Sequence, residues 1–152
     1  MIIQLLYRRK MKGRQDLMTQ PFGKQSLIEV LTAYKADPNP LTTLAMLTTM
    51  ATAHLYAIQL EGTPADKSIW LTYDKEKGKR ELVTFTDKDQ ASQYASKADN
   101  VSIQQMTFKQ IALMVLTKDN PIDSFIVNPE TTKAKFNQSI IEKVWQYAIK
   151  HV

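Results

Sequence analysis

Cysteine is absent from this sequence, and histidine and glycine are scarce. Without cysteine the chain can form no disulfide, thiolate metal site, iron–sulfur cluster or cysteine nucleophile. The two histidines, His54 and His151, lie far apart in the sequence, and four glycines leave little for a phosphate-binding loop. We therefore predict no catalytic, cofactor-binding or metal-binding residues, and the composition favours binding over catalysis.

Long apolar runs are absent as well. No window approaches the ~20 apolar residues that cross a membrane. At the N-terminus the apolar IIQLLY precedes the basic RRKMKGR, which is the reverse of the order in a secretory signal. The 152 residues are 43% hydrophobic and 23% charged, as in a single globular domain. We therefore expect a cytoplasmic protein.

The excess of positive charge lies in the first twenty residues. The chain carries +5, and residues 1–20 contribute +4 of it, so the remaining body is close to neutral. We expect residues 1–20 to form a flexible basic tail and residues 21–152 to form one domain. A near-neutral body does not predict a specific nucleic-acid surface. The candidate contacts for a polyanion are Arg8, Arg9, Lys10, Lys12 and Arg14.

Apolar residues spaced three and four apart predict five helices. Prolines end the first helix, and Thr107 with Gln110 forms a capping box at the start of the fourth. Thr86 and Asp89 have a spacing that suits a cap for the third. The predicted helices lie near residues 24–36, at 41–50, from Thr86 to about Ser96, from Thr107 to Leu116, and from Phe136 onward.

Alternating apolar residues predict strands between these helices. A charged turn ending in Gly78, which adopts positive φ without steric cost, joins two of them into an antiparallel hairpin. The strands lie at residues 54–60, 69–73, 80–85, 101–105 and, as the last, 122–127. The predicted fold class is therefore α+β, an antiparallel three-strand meander extended by further short strands and flanked by helices. We expect Ile111, Val115, Phe125 and Val144 in its core.

Aromatic and basic residues around the predicted hairpin form the candidate interaction surface. Aromatic side chains are enriched at interface hot spots, and here they stand beside a charged turn. There are structural alternatives to an interaction role. The aromatic residues could pack in the core, and the cations could belong to a solvated turn. The candidate residues are Trp70, Tyr73, Lys75, Lys77, Lys79 and Arg80.

The histidines and the acidic pairs have structural explanations. One histidine lies in phase with the strand over 54–60, and the other is next to the last residue. Helix capping explains Asp87 with Asp89, and a solvated turn explains Asp119 with Asp123. We therefore expect none of these residues to form a nucleophile–base arrangement.

Four segments in this order resemble the SseB N-terminal domain family. They are HLYAIQL (54–60), LVTFTDKDQASQY (82–94), MTFKQIALMVL (106–116) and IDSFIVNPE (122–130). The resemblance covers roughly residues 41–150, and it implies an α+β fold in the bacterial cytoplasm with no established catalytic activity.

The leading interpretation is a non-catalytic protein-interaction module whose partner is another protein. Two alternatives stay open. One is a small hydrolase-type enzyme with an unrecognised site of Ser, Thr, His or Asp residues. The other is a weak nucleic-acid or anionic-membrane adaptor acting through residues 8–14.

Overall fold

The computed structural model describes residues 26–60 and 69–151. The five predicted helices are present, with boundaries that differ from the expected ones by a few residues. They are α1 (Leu27–Ala36), α2 (Pro40–Ala51), α3 (Lys88–Ala95), α4 (Phe108–Leu116) and α5 (Gln138–His151).

The strands of the described residues form one sheet, which contains two more strands than the sequence predicts. The segment predicted as one strand over 69–73 is divided into two, and a short strand follows the one predicted to be the last. The strands are β1 (His54–Leu60), β2 (Ile69–Trp70), β3 (Thr72–Asp74), β4 (Arg80–Phe85), β5 (Val101–Thr107), β6 (Ile122–Val127) and β7 (Ala134–Phe136).

The sheet is mixed, so the prediction of an antiparallel meander is correct only in part. Its main order is β5–β1–β4–β6–β7. β4 and β6 run parallel, and the other neighbours are antiparallel. A parallel pair needs a long crossover connection, and here α3, β5 and α4 supply it.

The divided strand lies between β1 and β4. Leu71 joins both neighbours, because its N–H donates to the carbonyl of Ile58 (2.8 Å) and its carbonyl accepts from the N–H of Val83 (3.2 Å). β2 then pairs with β1, and β3 pairs antiparallel with the start of β4. The hairpin between β3 and β4 is therefore confirmed, whereas the unbroken strand over 69–73 is wrong.

The two faces of the sheet are covered unequally. Helices α1, α2, α4 and α5 pack on one face and form the main core. Of the described helices, α3 alone packs on the other face, where a smaller cluster surrounds Ala91 and Ala95. The four predicted core residues are all fully buried in the main core. Phe125 stacks on Phe136 with ring centroids 4.7 Å apart.

Polar caps define the helix starts. The capping box of Thr107 and Gln110 is present at α4, as predicted. The cap of α3 is Asp87, whose carboxylate accepts from the N–H of Gln90 (2.8 Å). The predicted capping role of Thr86 is therefore wrong by one residue. Its N–H instead donates to the side chain of Asn128 (3.0 Å).

Candidate interaction surface at the basic hairpin

The tip of the β3–β4 hairpin is a tight turn that keeps its lysines outside the sheet. Lys77 (φ 60°) and Gly78 (φ 74°) both have left-handed backbone, a conformation that is free of strain for glycine. The N–H of Lys75 donates to the carbonyl of Lys79 (2.7 Å) and closes the turn. Side chains at the tip therefore project from a defined loop.

Two of the four hairpin cations are paired with acids. Lys75 Nζ donates to Asp123 Oδ1 (2.9 Å) and to Ser124 Oγ (3.0 Å). Arg80 Nε lies 3.6 Å from Asp74 Oδ1. The side chains of the other two, at positions 77 and 79, are exposed and contact no acid among the residues the structure describes. The hairpin therefore exposes two lysines that no described acid contacts.

A bulge in β6 directs Asp123 to its lysine partner. Arg80 pairs with Ile122 and Glu81 pairs with Ser124, so Asp123 is an extra residue in the parallel ladder. Bulges re-aim side chains in this way. Asp123 was predicted to lie in a solvated turn, and that prediction is wrong: it belongs to a strand and holds an ion pair.

Tyr73 shares a hydrogen bond with Tyr94 on the α3 face of the sheet. Their hydroxyl oxygens are 2.8 Å apart. Desolvation and this hydrogen bond, with smaller effects of nearby groups including Glu130, raise the pKa of Tyr73 to about 12. The Tyr73 phenol is therefore neutral at physiological pH, and its ring is partly exposed next to the hairpin.

Trp70 lies on the opposite side of the sheet from this tyrosine pair. Its half-buried ring packs against the main core, so the two candidate aromatics do not form one patch. Tyr73 contacts α3 through Tyr94 and lies in the strand that enters the lysine-bearing turn, whereas the tryptophan contributes to the packing of the other face.

An apolar cavity adjoins the tyrosine pair. Its volume is about 290 Å³, and aliphatic side chains from β1, β5 and the β2–β3 segment line it together with Tyr94. An exposed ion pair of Lys97 and Glu130 (3.6 Å) stands at its rim, with Lys97 Nζ 5.3 Å from the centre of the Tyr94 ring. This cavity could not be predicted from the sequence, because its walls come from segments far apart in the chain.

The contact between Lys75 and Ser124 does not amount to an activated nucleophile. A general base must accept a proton from the nucleophile, whereas Lys75 Nζ is the donor to both Asp123 Oδ1 and Ser124 Oγ. Both histidines are exposed, and the ring of His151 lies against Tyr147. Within the described ranges, 26–60 and 69–151, no three His, Asp or Glu side chains converge on a metal-sized site.

The candidate polyanion contacts Arg8, Arg9, Lys10, Lys12 and Arg14 lie outside the described residues. The adaptor role of residues 8–14 and the division of the chain at residue 20 therefore stay predictions. In the part of the chain that the structure covers, no helix combines the length and the apolar character needed to cross a membrane.

Comparison with known families agrees with the architecture. The family model described as the SseB protein N-terminal domain matches residues 27–141, which include α1 to the first turn of α5 and every strand of the sheet. The chain belongs to the SseB N-terminal domain family. No curated protein and no solved structure matches it.

Proposed function

We propose that this domain is a non-catalytic protein-interaction module of the bacterial cytoplasm, and that its partner binds the α3 side of the hairpin. The observation that carries the proposal is the hydrogen bond between Tyr73, in the strand that enters the hairpin turn, and Tyr94, which lines the apolar cavity. The turn itself adds Lys77 and Lys79, which are exposed and contact no acid among the described residues. We call this combination the hairpin surface.

The chemistry of the hairpin surface favours a protein with an acidic segment and one apolar anchor. Tyrosine offers a large apolar ring and a polar tip, which suits an interface centre. Exposed lysines at the rim of an interface steer an oppositely charged partner and add selectivity. A cavity of about 290 Å³ has room for a single aliphatic or aromatic side chain. Together these features fit a peptide segment or loop of another protein.

Charge reversal at the hairpin tests the electrostatic half of the proposal. The full chain is immobilised and exposed to a bacterial cytoplasmic extract, and the proteins retained are compared between variants. Lys77→Glu with Lys79→Glu should lose the specific partner. Lys109→Glu with Lys118→Glu makes the same charge change at exposed positions of α4 and the loop after it, and should retain the partner.

Filling the cavity tests the apolar half. Ala98 is exposed and lines the cavity, so Ala98→Trp occupies the space without disturbing the core. The matched control is Ala33→Trp, at an exposed position of α1. We expect Ala98→Trp to lose the same protein that the hairpin double variant loses. If both hairpin-surface variants retain every partner of the unaltered chain, the interaction surface lies elsewhere and the proposal is wrong.

A further inference from the structure

Strand β5 is a long, regular edge of the sheet. Among the described residues it pairs with β1 alone, through seven consecutive residue pairs from His54–Thr107 to Leu60–Val101 without a bulge. Its outer side therefore presents a straight row of backbone N–H and C=O groups. An edge of this kind is a template for another strand.

The hydrogen bonds around β1 determine which backbone groups of β5 point outward. The N–H of Phe108 donates to the carbonyl of Ala53 (3.1 Å), which fixes one hydrogen-bonded pair. The carbonyl of Ile58 accepts from Leu71 on the other side of β1 (2.8 Å), so it does not reach β5. Hydrogen-bonded and non-hydrogen-bonded pairs alternate along an antiparallel ladder. The even-numbered residues of β5 therefore bond to β1.

The odd-numbered residues consequently direct their backbone groups outward. Thr107 confirms this direction, because its N–H donates to the side chain of Gln110 (2.9 Å) and not to β1. Val101, Ile103 and Gln105 have outward N–H and C=O groups, and no described residue bonds to them. These three residues are the available positions for a new strand.

The chemistry of β5 does nothing to prevent such pairing. Its sequence, VSIQQMT, has no charge and no proline, the two devices that commonly protect sheet edges. The opposite edge is protected: β7 has only three residues, and Lys135 is exposed in its centre. The contrast within one sheet marks β5 as the open edge.

We propose that β5 pairs antiparallel with β5 of a second copy of this chain, with Ile103 at the two-fold axis. This register places Ile103 opposite Ile103 of the second copy, and Val101 opposite Gln105. The outward backbone groups of all three residues then form hydrogen bonds in both directions. The result is an isologous dimer with one continuous sheet.

Self-complementarity selects a second copy as the occupant. Because the strand has no charge, no like charges meet across the axis, and the half-buried Ile103 gains an identical apolar neighbour on the α3 face. Cross-strand apolar pairs of this kind stabilise a sheet. A contact of five residues on each side is small, so the dimer is weak and forms reversibly with concentration.

Sedimentation velocity over a range of concentrations tests the proposal on the full chain. We expect a monomer–dimer equilibrium, and we expect Ile103→Lys to abolish it because two like charges would face each other at the axis. Ile103→Val keeps the apolar pair and should keep the dimer. A thermal melt monitored by circular dichroism checks that the lysine variant is folded.

Hydrogen exchange at single residues identifies the surface independently of any substitution. In the unaltered chain, the amides of Val101, Ile103 and Gln105 should exchange more slowly as the concentration rises. The amides of Ser102 and Gln104 bond to β1 in the monomer and should change little. A chain that is monomeric at every concentration, or a dimer in which the odd-numbered amides exchange at an unchanged rate, would overturn the proposal.

Discussion

Replacing Asn128 by alanine should destabilise the fold more than any other single polar substitution at the ends of the parallel strands. Asn128 is fully buried where β6 ends, and its backbone is left-handed, with φ 51°. Its side-chain oxygen accepts from the N–H of Thr86 (3.0 Å), and its nitrogen donates to the hydroxyl of the same threonine (3.0 Å). The residue thus joins the β4–α3 connection to the turn before β7.

The magnitude follows from two separate losses. Alanine in the left-handed region costs about 1 kcal/mol, since its Cβ meets the backbone. The N–H of Thr86 loses its acceptor in a part-buried setting, which costs about 1–3 kcal/mol. The hydroxyl of Thr132 also loses a long hydrogen bond (3.3 Å). We therefore expect Asn128→Ala to lower the free energy of unfolding by about 2–4 kcal/mol.

Asn128→Gly separates the two losses. Glycine adopts φ 51° without strain but makes no side-chain hydrogen bond. We therefore expect Asn128→Gly to be less destabilising than Asn128→Ala, but clearly less stable than the unaltered chain. Urea denaturation gives both values, with an unchanged dependence on denaturant as the sign of an unaltered unfolding reaction. If Asn128→Ala costs less than about 1 kcal/mol, the buried hydrogen bonds do not hold the strand ends together and the reasoning fails.

Three further predictions concern the core, the tyrosine pair and the tail. Ile111→Ala should cost on the order of 2–5 kcal/mol in urea denaturation, because it leaves a cavity at a fully buried site; an unchanged midpoint would contradict that placement. The Tyr73 pKa, raised from 10.0 to about 12, implies a contribution to stability that is present below pH 10 and is lost as the pH rises through 12. Phenolate absorbance should show Tyr73 titrating at a pH of about 12. Tyr94→Phe should lower this pKa, and an unchanged pKa would mean that the hydrogen bond does not contribute to it. Deleting residues 1–17 should leave the unfolding transition intact and remove most weak DNA binding. In the full chain, the slope of log binding constant against log salt concentration should be about −4 to −5 at most. If the truncated chain binds DNA with an unchanged slope, the basic contact lies in the body of the domain.

The helices and long strands could be predicted because local sequence specifies them. The capping box of Thr107 and Gln110 and the apolar spacing of α4 are both short-range signals, and both appear in the structure. The alternation over 54–60 likewise gave β1 with its predicted bounds. In each case the residues that decide the element lie within one or two turns of it.

The division at Leu71 could not be predicted from periodicity. Apolar alternation continues through residues 69–73, and it carries no information about how β1 and β4 diverge. The break arises because Leu71 bonds to one neighbour through its N–H and to the other through its carbonyl. β7 was missed for a different reason: three residues are too few for a period of two to be recognised.

The candidate site was predictable at the hairpin and unpredictable beyond it. Lys77 and Lys79 stand at a turn that local charge and Gly78 indicate. Tyr94 and Glu130 approach the same place only because the parallel pairing of β4 and β6 brings α3 beside the turn after β6. Such pairing is a long-range property, and a single sequence gives no register for it.

The unequal covering of the sheet separates the residues that stabilise this domain from those proposed to bind. Within residues 26–60 and 69–151, four helices bury the main core on one face, whereas one eight-residue helix, α3, covers the other. Substitutions at exposed positions of the α3 side therefore remove little buried apolar area, and their effect on stability should be small. The Tyr73–Tyr94 pair, the apolar cavity and Ile103 of β5 all lie on this side. The proposed binding and the proposed self-association can consequently be tested by substitutions on this side that leave the main core on the opposite face intact.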